Sequence, residues 1–339
     1  TADYATIKLP LGIAATGSIS VHDVLTDYPA GNYAGFVVEN TTLLNVNILG
    51  NTSIKTYLNG VLQETQTGNS LIISAPLLPD TSKSTIGFVT TMPYDEIQFT
   101  ISQTLGLNLD TTKVYSAVMK RHCASFPLFC NTPAVLVEPL YPVNINGNQT
   151  GITGAACVGC SVSNASNIVD LNPANYATIS LTAGVAVQGS ISVKQEITDF
   201  PANTFAGFAL ANINLLGVNL LNNVTITTYL NGVQAESKSG ATDLLSILPV
   251  LLEGPDAQVA GFVTTQPFDE IKLSVNQTVG LNVGETYVLL AIAQKMCAGP
   301  AVLPCNTTTR LSGATFPAMV EKAHTGTTGI VIGSVLNAE

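Results

Sequence analysis

An all-β chain of two tandem jelly-roll-like β-sandwich repeats is the fold this sequence predicts, and three observations carry that prediction. Blocks of sequence recur at a fixed displacement, short runs alternate apolar and polar residues, and two Asn-Gly pairs each sit between such runs. The recurrence is the strongest of the three. Gly17-Ser18-Ile19-Ser20-Val21 returns as Gly189-Ser190-Ile191-Ser192-Val193, and Thr56-Tyr57-Leu58-Asn59-Gly60 as Thr228-Tyr229-Leu230-Asn231-Gly232. Gly87-Phe88-Val89-Thr90-Thr91 matches Gly261-Phe262-Val263-Thr264-Thr265 at a displacement two residues longer, so an insertion is expected in the loop before Gly261. Pro93-Tyr94-Asp95-Glu96-Ile97 matches Pro267-Phe268-Asp269-Glu270-Ile271.

Within one copy the strands follow in order. Ile7 and Leu9, Ile19 and Val21, then Phe36 and Val38 alternate with polar residues, the period-2 pattern of half-buried strands. The Leu-rich segment Leu43–Leu49, with Leu215–Leu221 in copy two, reads equally as one helical turn or as a buried crossing loop. Asn59-Gly60 lies between Ile54–Leu58 and Val61–Thr65, and both residues tolerate the positive φ of a type I′ hairpin turn. Further strands are expected at Thr85–Thr91, Glu96–Gln103, Val114–Lys120 and Ala134–Leu140. About eight to ten short strands in roughly 170 residues fit a jelly roll better than a smaller immunoglobulin-type sandwich.

The ends extend the pattern. Ser334-Val335-Leu336-Asn337-Ala338 echoes Ser161-Val162-Ser163-Asn164-Ala165, while Thr1 is the counterpart of Pro173. These ends predict a window from a longer array. The expected division is repeat one over 1–145 without its opening segment, a linker over 146–160, repeat two over 161–320, and over 321–339 a linker and the start of a further repeat. Most of Val143–Ser163, though Gly- and Asn-rich, is expected to be ordered, packing along the sandwich as a closing strand with the Cys157–Cys160 loop bracing the entry to copy two.

Composition narrows the function. Only 10% of residues are charged, against about 25% in an average soluble protein. The net charge is −10 and 12 Lys and Arg are spread along the chain, too few for a basic face that displaces phosphate counterions, so nucleic acid is not a partner. No apolar run reaches the length of a membrane-spanning helix, so no membrane insertion is expected of this segment.

Six cysteines, Cys123, Cys130, Cys157, Cys160, Cys297 and Cys305, point to disulfides and an oxidising, extracellular compartment. Cys157-Val158-Gly159-Cys160 has no second such pair and no nearby His to complete a zinc site. If both copies share one scheme, Cys123–Cys130 and Cys297–Cys305 form local bridges and Cys157 pairs with Cys160.

Two resemblances add to this reading. Asn164-Ala165-Ser166-Asn167-Ile168-Val169-Asp170-Leu171-Asn172, followed by Tyr176, resembles the opening of discoidin-like (galactose-binding-like) jelly rolls. That resemblance implies a structural Ca²⁺ held by Asp170 and Asn172; Leu171 and Tyr176 depart from the Gly and Trp common in that family. The G-S-I-S-V, T-Y-L-N-G, G-F-V-T-T and P-[YF]-D-E-I blocks of both copies are similar to repeats in very large surface proteins of Bacteroidota. This implies a cell-surface filament or adhesin serving attachment or gliding, exported by the type IX pathway. Asp110-Thr111-Thr112 resembles the short O-glycosylation motif of the same bacteria.

Internal repetition also tests for catalysis, since a catalytic residue serving both copies must occur in both. His22 aligns with Lys194, His122 with Met296, and His324 falls in a linker, so no His triad is shared. The shared carboxylates are Asp27/Asp199, Glu64/Glu236, Asp95/Asp269 and Glu96/Glu270. Asp95 and Glu96 are neighbours at a strand start and point to opposite faces, which makes a poor acid–base pair; turn-bonding carboxylates are expected instead. A cation held by several of them is the alternative. Three functions compete: a stalk repeat partnered by its neighbouring repeats, a carbohydrate-binding module recognising surface glycans, and an enzyme. The absence of Trp and the strand-like setting of Phe36/Phe208 and Phe88/Phe262 favour the stalk.

Overall fold

A computed structural model describes residues 4–9, 14–39, 46–74, 83–103, 111–123, 126–181, 184–211, 222–247, 257–277, 284–311 and 316–317. Copy one contributes β1 (Ala5–Lys8), β2 (Ala15–His22), β3 (Asn32–Glu39), β4 (Thr52–Leu58), β5 (Val61–Thr67), β6 (Ile72–Ser74), β7 (Ser84–Val89), β8 (Glu96–Gln103) and β9 (Thr111–Arg121). They form two antiparallel sheets, β1-β9-β3-β7-β6 and β2-β8-β4-β5, packed as a sandwich. A joining region follows with β10 (Ala134–Val135), β11 (Val143–Asn146), β12 (Gly151–Cys157) and β13 (Ser161–Ser163). Copy two has β14 (Ala177–Leu181), β15 (Gly184–Gln195), β16 (Thr204–Ala211), β17 (Val224–Leu230), β18 (Val233–Ser239), β19 (Leu245–Ile247), β20 (Ala257–Val263), β21 (Glu270–Gln277) and β22 (Gly284–Lys295). Its sheets, β14-β22-β16-β20-β19 and β15-β21-β17-β18, repeat the order of copy one.

The expected alternation is clearest in β8, where Ile97, Phe99 and Ile101 are buried and the residues between them are half-buried. Phe36 reaches Phe99 across the two sheets, with ring centroids 5.7 Å apart. Both Asn-Gly pairs turn their hairpins with positive φ at both residues, 51° and 75° at Asn59 and Gly60, 52° and 78° at Asn231 and Gly232. The irregularities repeat too. Each copy skips one residue between its third and last strands, Tyr115 or Leu289, and one in its Asn-Gly hairpin, Gln63 or Ala235.

A glycine pair sets the closest approach in each outer sheet. Gly35 faces Gly87, and Gly207 faces Gly261. The Tyr33 or Phe205 ring lies over the pair, so a methyl on Gly87 or Gly261 would overlap that ring and a carbonyl oxygen of the facing strand.

Several expectations change. Ala134–Leu140 was expected to be a strand of copy one; only Ala134–Val135 is a strand, and it pairs with β22 of copy two. The stretch 146–160, read as a linker ordered into a closing strand along the sandwich, holds a 3-10 turn at Gly147–Gln149 and β12, which runs antiparallel along β15. Backbone pairing explains this: β15 has a free edge that the chain folds back to satisfy. In Leu43–Leu49 the described part enters a 3-10 helix, Val46–Asn51. One residue of the insertion before Gly261 falls in the turn Gly240–Asp243, which stands where copy one has the shorter Gly68–Ser70, so that Leu244 takes the place of Leu71. The stretch 248–256, Leu215–Leu221, Asp110, His324 and the whole of 321–339 lie outside the described residues.

Gly261→Ala should destabilise the protein by about 2–3 kcal/mol, the cost of forcing a methyl into a close-packed contact. Urea unfolding of the intact chain measures it; an unchanged midpoint would remove the glycine-pair account.

Candidate functional site: the joint between the copies

The carboxylates common to both copies serve turns. Asp95 Oδ2 accepts the Asn59 N–H at 2.7 Å and Asp269 Oδ2 the Asn231 N–H at 3.1 Å, so each fastens the Asn-Gly hairpin to the neighbouring strand. Glu64 accepts from the backbone N–H groups of Thr91 and Met92 and from the Thr91 hydroxyl. Glu236 does the same with Thr265 and Gln266. Asp27 and Asp199 are exposed on their turns. Glu96 accepts from Ser20, and Glu270 from Ser192 and Asn146. The bonded oxygens are committed to donors of the fold, while Asp95 Oδ1 and Asp269 Oδ1 are buried without a hydrogen-bond partner.

The Asp170–Asn172 loop is closed on itself. Asp170 accepts the Asn172 N–H at 2.8 Å through one oxygen and the Asn175 side-chain amide at 2.8 Å through the other. Asn172 Oδ1 accepts the Ala174 N–H at 3.1 Å. Calcium asks for six to eight converging oxygens. Here the two candidate side chains face N–H groups, and among the described residues no three His, Cys, Asp or Glu side chains gather to hold a metal. The residues therefore do not fit the calcium site that the resemblance implied; they build a chain of Asx turns.

What the structure brings together is the boundary between the copies. β11 pairs on one side with β6 of copy one and on the other with β15 of copy two, which makes a single 11-stranded sheet across both. The Pro142 carbonyl accepts the Glu196 N–H, and Val143 and Ile145 are fully buried. One hydrophobic cluster runs from Ile7, Phe36 and Phe99 through Val143 and Ile145 to Ile191, Phe208 and Phe268. Copy one's tail then lies across the outer face of copy two. Leu136 N–H bonds to the Ala291 carbonyl, and Val137 packs with Phe205, Val259, Leu290 and Ile292.

Cys130 bonds to Cys297 across this boundary. Asn131 stands beside the bridge: its backbone N–H donates to the Lys295 carbonyl, its side-chain amide to the Cys297 carbonyl, and its Oδ1 accepts the Cys297 N–H at 2.8 Å. The expected local bridges Cys123–Cys130 and Cys297–Cys305 are thus corrected. The physical reason is the docking of the 130–137 segment onto the end of β22, which places Cys130 at the second copy's cysteine rather than its own. Cys123 and Cys305 are unbonded and exposed. Cys157 and Cys160 are bonded to each other. The sequence held a signal for the cross-copy bridge: each copy has one cysteine just after its last strand and one some residues on, a spacing that suits staggered as well as local pairing.

The joint is also acidic. Burial pushes Glu138, Glu196 and Glu270 above the ordinary carboxylate range, against the lowering effect of Lys120 on Glu138, of Lys194 on Glu196 and of Ser192 on Glu270. Burial raises Asp269 as well, and Asp269 in turn raises Glu196 and Glu270. A carboxyl raised in the folded state contributes stability that is complete below its unfolded value and is lost as pH climbs through its folded value.

No protein-family model matches the chain, and no curated protein matches it. Solved structures align loosely. The catalytic domain of Clostridium perfringens ZmpB with its two CBM51 domains aligns over 83% of this chain at 11% identity and a TM-score of 0.18. This chain spans 34% of that one's length. The VP2 subviral particle of infectious bursal disease virus aligns over 86% of this chain and 70% of its own, at 13% identity and a TM-score of 0.21. Scores of this size carry no argument about function, and the β-sandwich assignment rests on the strand pairing itself.

Three outcomes test the joint. Non-reducing peptide mapping should recover Cys130 linked to Cys297, and Cys130→Ser should cost up to about 5 kcal/mol, as expected for closing so long a loop. Asp170→Ala should lower the melting temperature by the same amount with and without a calcium chelator; a chelator effect confined to the parent chain would restore the calcium site. The raised carboxyls favour a higher melting temperature at pH 5 than at pH 7.5, against the opposite pull of His122, whose pKa burial holds down to about 4. Glu270→Gln should raise the melting temperature at pH 7.5 and shift the slope between the two pH values toward a loss on acidification. A Gln variant that melts lower at pH 7.5 would contradict the burial account.

Proposed function

We propose that the chain is a structural repeat of an extracellular stalk or filament, a segment of a cell-surface adhesin with no catalytic activity of its own. The observation that carries this is the joint: a shared sheet, a shared core and a cross-copy disulfide make the two copies one stiff body. Domains that act independently meet through smaller and more polar contacts. Disulfides fit an oxidising compartment, and no helix among the described residues is long and apolar enough to cross a membrane. The likeness of the repeat motifs to Bacteroidota surface proteins supports placing the chain in a protein of that kind, used in attachment or gliding. The turn-bonded state of the shared carboxylates, and the lack of a shared His, support the non-catalytic reading.

A glycan-binding module needs aromatic faces open to solvent. Phe36, Phe208, Phe88 and Phe262 are all buried, with at most 3% exposure, and the exposed pair common to the copies, Tyr4 and Tyr176, each leans on a second tyrosine ring, Tyr115 and Tyr287. That favours the stalk over the carbohydrate reading.

Small-angle scattering on the monomeric chain should show one narrow distance distribution, that of a fixed end-to-end pair. A broad, two-peaked distribution would mark two tethered beads and remove the stalk reading. The same chain on a glycan array should bind no sugar above background.

A further inference from the structure

Copy one has at its open side the same surface that copy two has at the joint, but uncovered. β2 repeats the Gly-Ser-Ile-Ser-Val of β15, yet among the described residues β2 pairs on one side only, with β8. Val193 in β15 is 1% exposed under β11, whereas its counterpart Val21 is 47% exposed. Glu270 is buried beneath Asn146, while its counterpart Glu96 is half-buried. Along the last strand, Ala293 is fully buried where β10 pairs with it; its counterpart Met119 is 45% exposed.

A pocket of about 670 Å³ lies at this end of copy one, lined by Tyr28–Asn32 and Met119–His122. The matching residues of copy two, Phe200–Thr204 and Ala293–Met296, are where the Asn131 turn of copy one docks. Both nitrogens of His122 are buried here without a hydrogen-bond partner. Cys123 follows, exposed and unbonded, at the position that Cys297 takes in copy two.

The opposite end carries the matching half. Cys305-Asn306-Thr307 repeats Cys130-Asn131-Thr132, and the turn is already formed. Asn306 has φ 57° against 54° at Asn131, and the Thr307 hydroxyl donates to the Cys305 carbonyl at 3.2 Å, as Thr132 does to Cys130. Leu311 is 65% exposed, whereas its counterpart Leu136 is 1% exposed in the joint. The sequence beyond continues the match, with Thr325-Gly326-Thr327-Thr328-Gly329 against Thr150-Gly151-Ile152-Thr153-Gly154 of β12.

We propose that a second copy of this chain docks head to tail on copy one, its Cys305–Leu311 segment in the Tyr28–His122 pocket and along the end of β9, locked by a Cys305–Cys123 disulfide between the two chains. This deepens the stalk reading and rests on it. In the docked state Asn306 donates to the Arg121 carbonyl as Asn131 does to that of Lys295, and Leu311 covers copy one as Leu136 covers copy two. Forming the bridge removes two protons and two electrons from the two thiols. A low-molecular-weight disulfide takes them: one thiolate attacks it and releases a thiol, then the second thiolate displaces the other thiol from the mixed disulfide.

The test is incubation of the intact chain in a glutathione redox buffer, alkylation, a non-reducing gel and peptide mapping. The expected result is a ladder of linked chains whose joining peptide contains Cys123 and Cys305. Cys123→Ser alone and Cys305→Ser alone should stay monomeric, and an equal mixture of the two should give a dimer and nothing larger. Leu311→Asp should slow the ladder at least tenfold, because docking rather than random collision brings the thiols together. Cys123–Cys123 or Cys305–Cys305 linkage, a bridge closed within one chain, or a mixture that stays monomeric would overturn the proposal. A chain that is a single stiff body by scattering but does not link would leave the stalk reading standing and remove this one alone.

Discussion

A β-strand edge is a row of backbone donors and acceptors that must find partners, and the whole arrangement of this protein follows from how one short strand meets that demand. β11 satisfies two edges at once, those of β6 and β15. Without it each sandwich would end in an open edge of the kind that invites unspecific pairing. With it, the outer sheet of one copy continues into the opposite-type sheet of the next, so the core crosses the boundary without a break. The disulfide, the Asn131 hydrogen bonds and the Val137 contact are placed by that pairing and reinforce it.

Identical sequence in the two copies does not meet an identical environment. The Gly-Ser-Ile-Ser-Val strand is buried in copy two and largely exposed in copy one, and the same holds for the Leu136 and Leu311 positions. These differences come from the neighbour rather than from the repeat itself. Stability in such an array is a sum of repeat and nearest-neighbour terms. Here the neighbour term is large, since it contains a sheet pairing, a buried apolar seam and a covalent bond.

The parts of the fold legible in the sequence were those set by local chemistry. The Asn-Gly hairpins follow from which residues accept positive φ, and β8 from strict alternation. The turn-bonding role of Asp95 follows from its setting in the Pro93–Glu96 turn, whereas that of Glu64, in the middle of β5, does not show in its local sequence. What escaped the sequence was long-range. Nothing local distinguishes Cys130 paired with Cys123 from Cys130 paired with Cys297, because the repeat satisfies both schemes. The Gly- and Asn-rich composition of 146–160 suits a loop, and only the demand that a join transmit tension points to an ordered closing strand; the partner of that strand, the free edge of β15, is long-range. Asp170 and Asn172 carry oxygen ligands suited to a cation, and only their geometry shows those oxygens facing N–H groups.

The Cys130–Cys297 bridge also changes how the chain answers to pulling. Its two residues are 167 apart in sequence. Tension that arrives along copy one's tail can cross directly from one sulfur to the other, and the body of copy two between them carries none of it. That body could lose its packing without adding length, since roughly 550–600 Å of potential extended chain stays behind the bond. A reductant would release that length, so the redox state of one cystine decides whether the segment behaves as an inextensible link or as a coiled reserve.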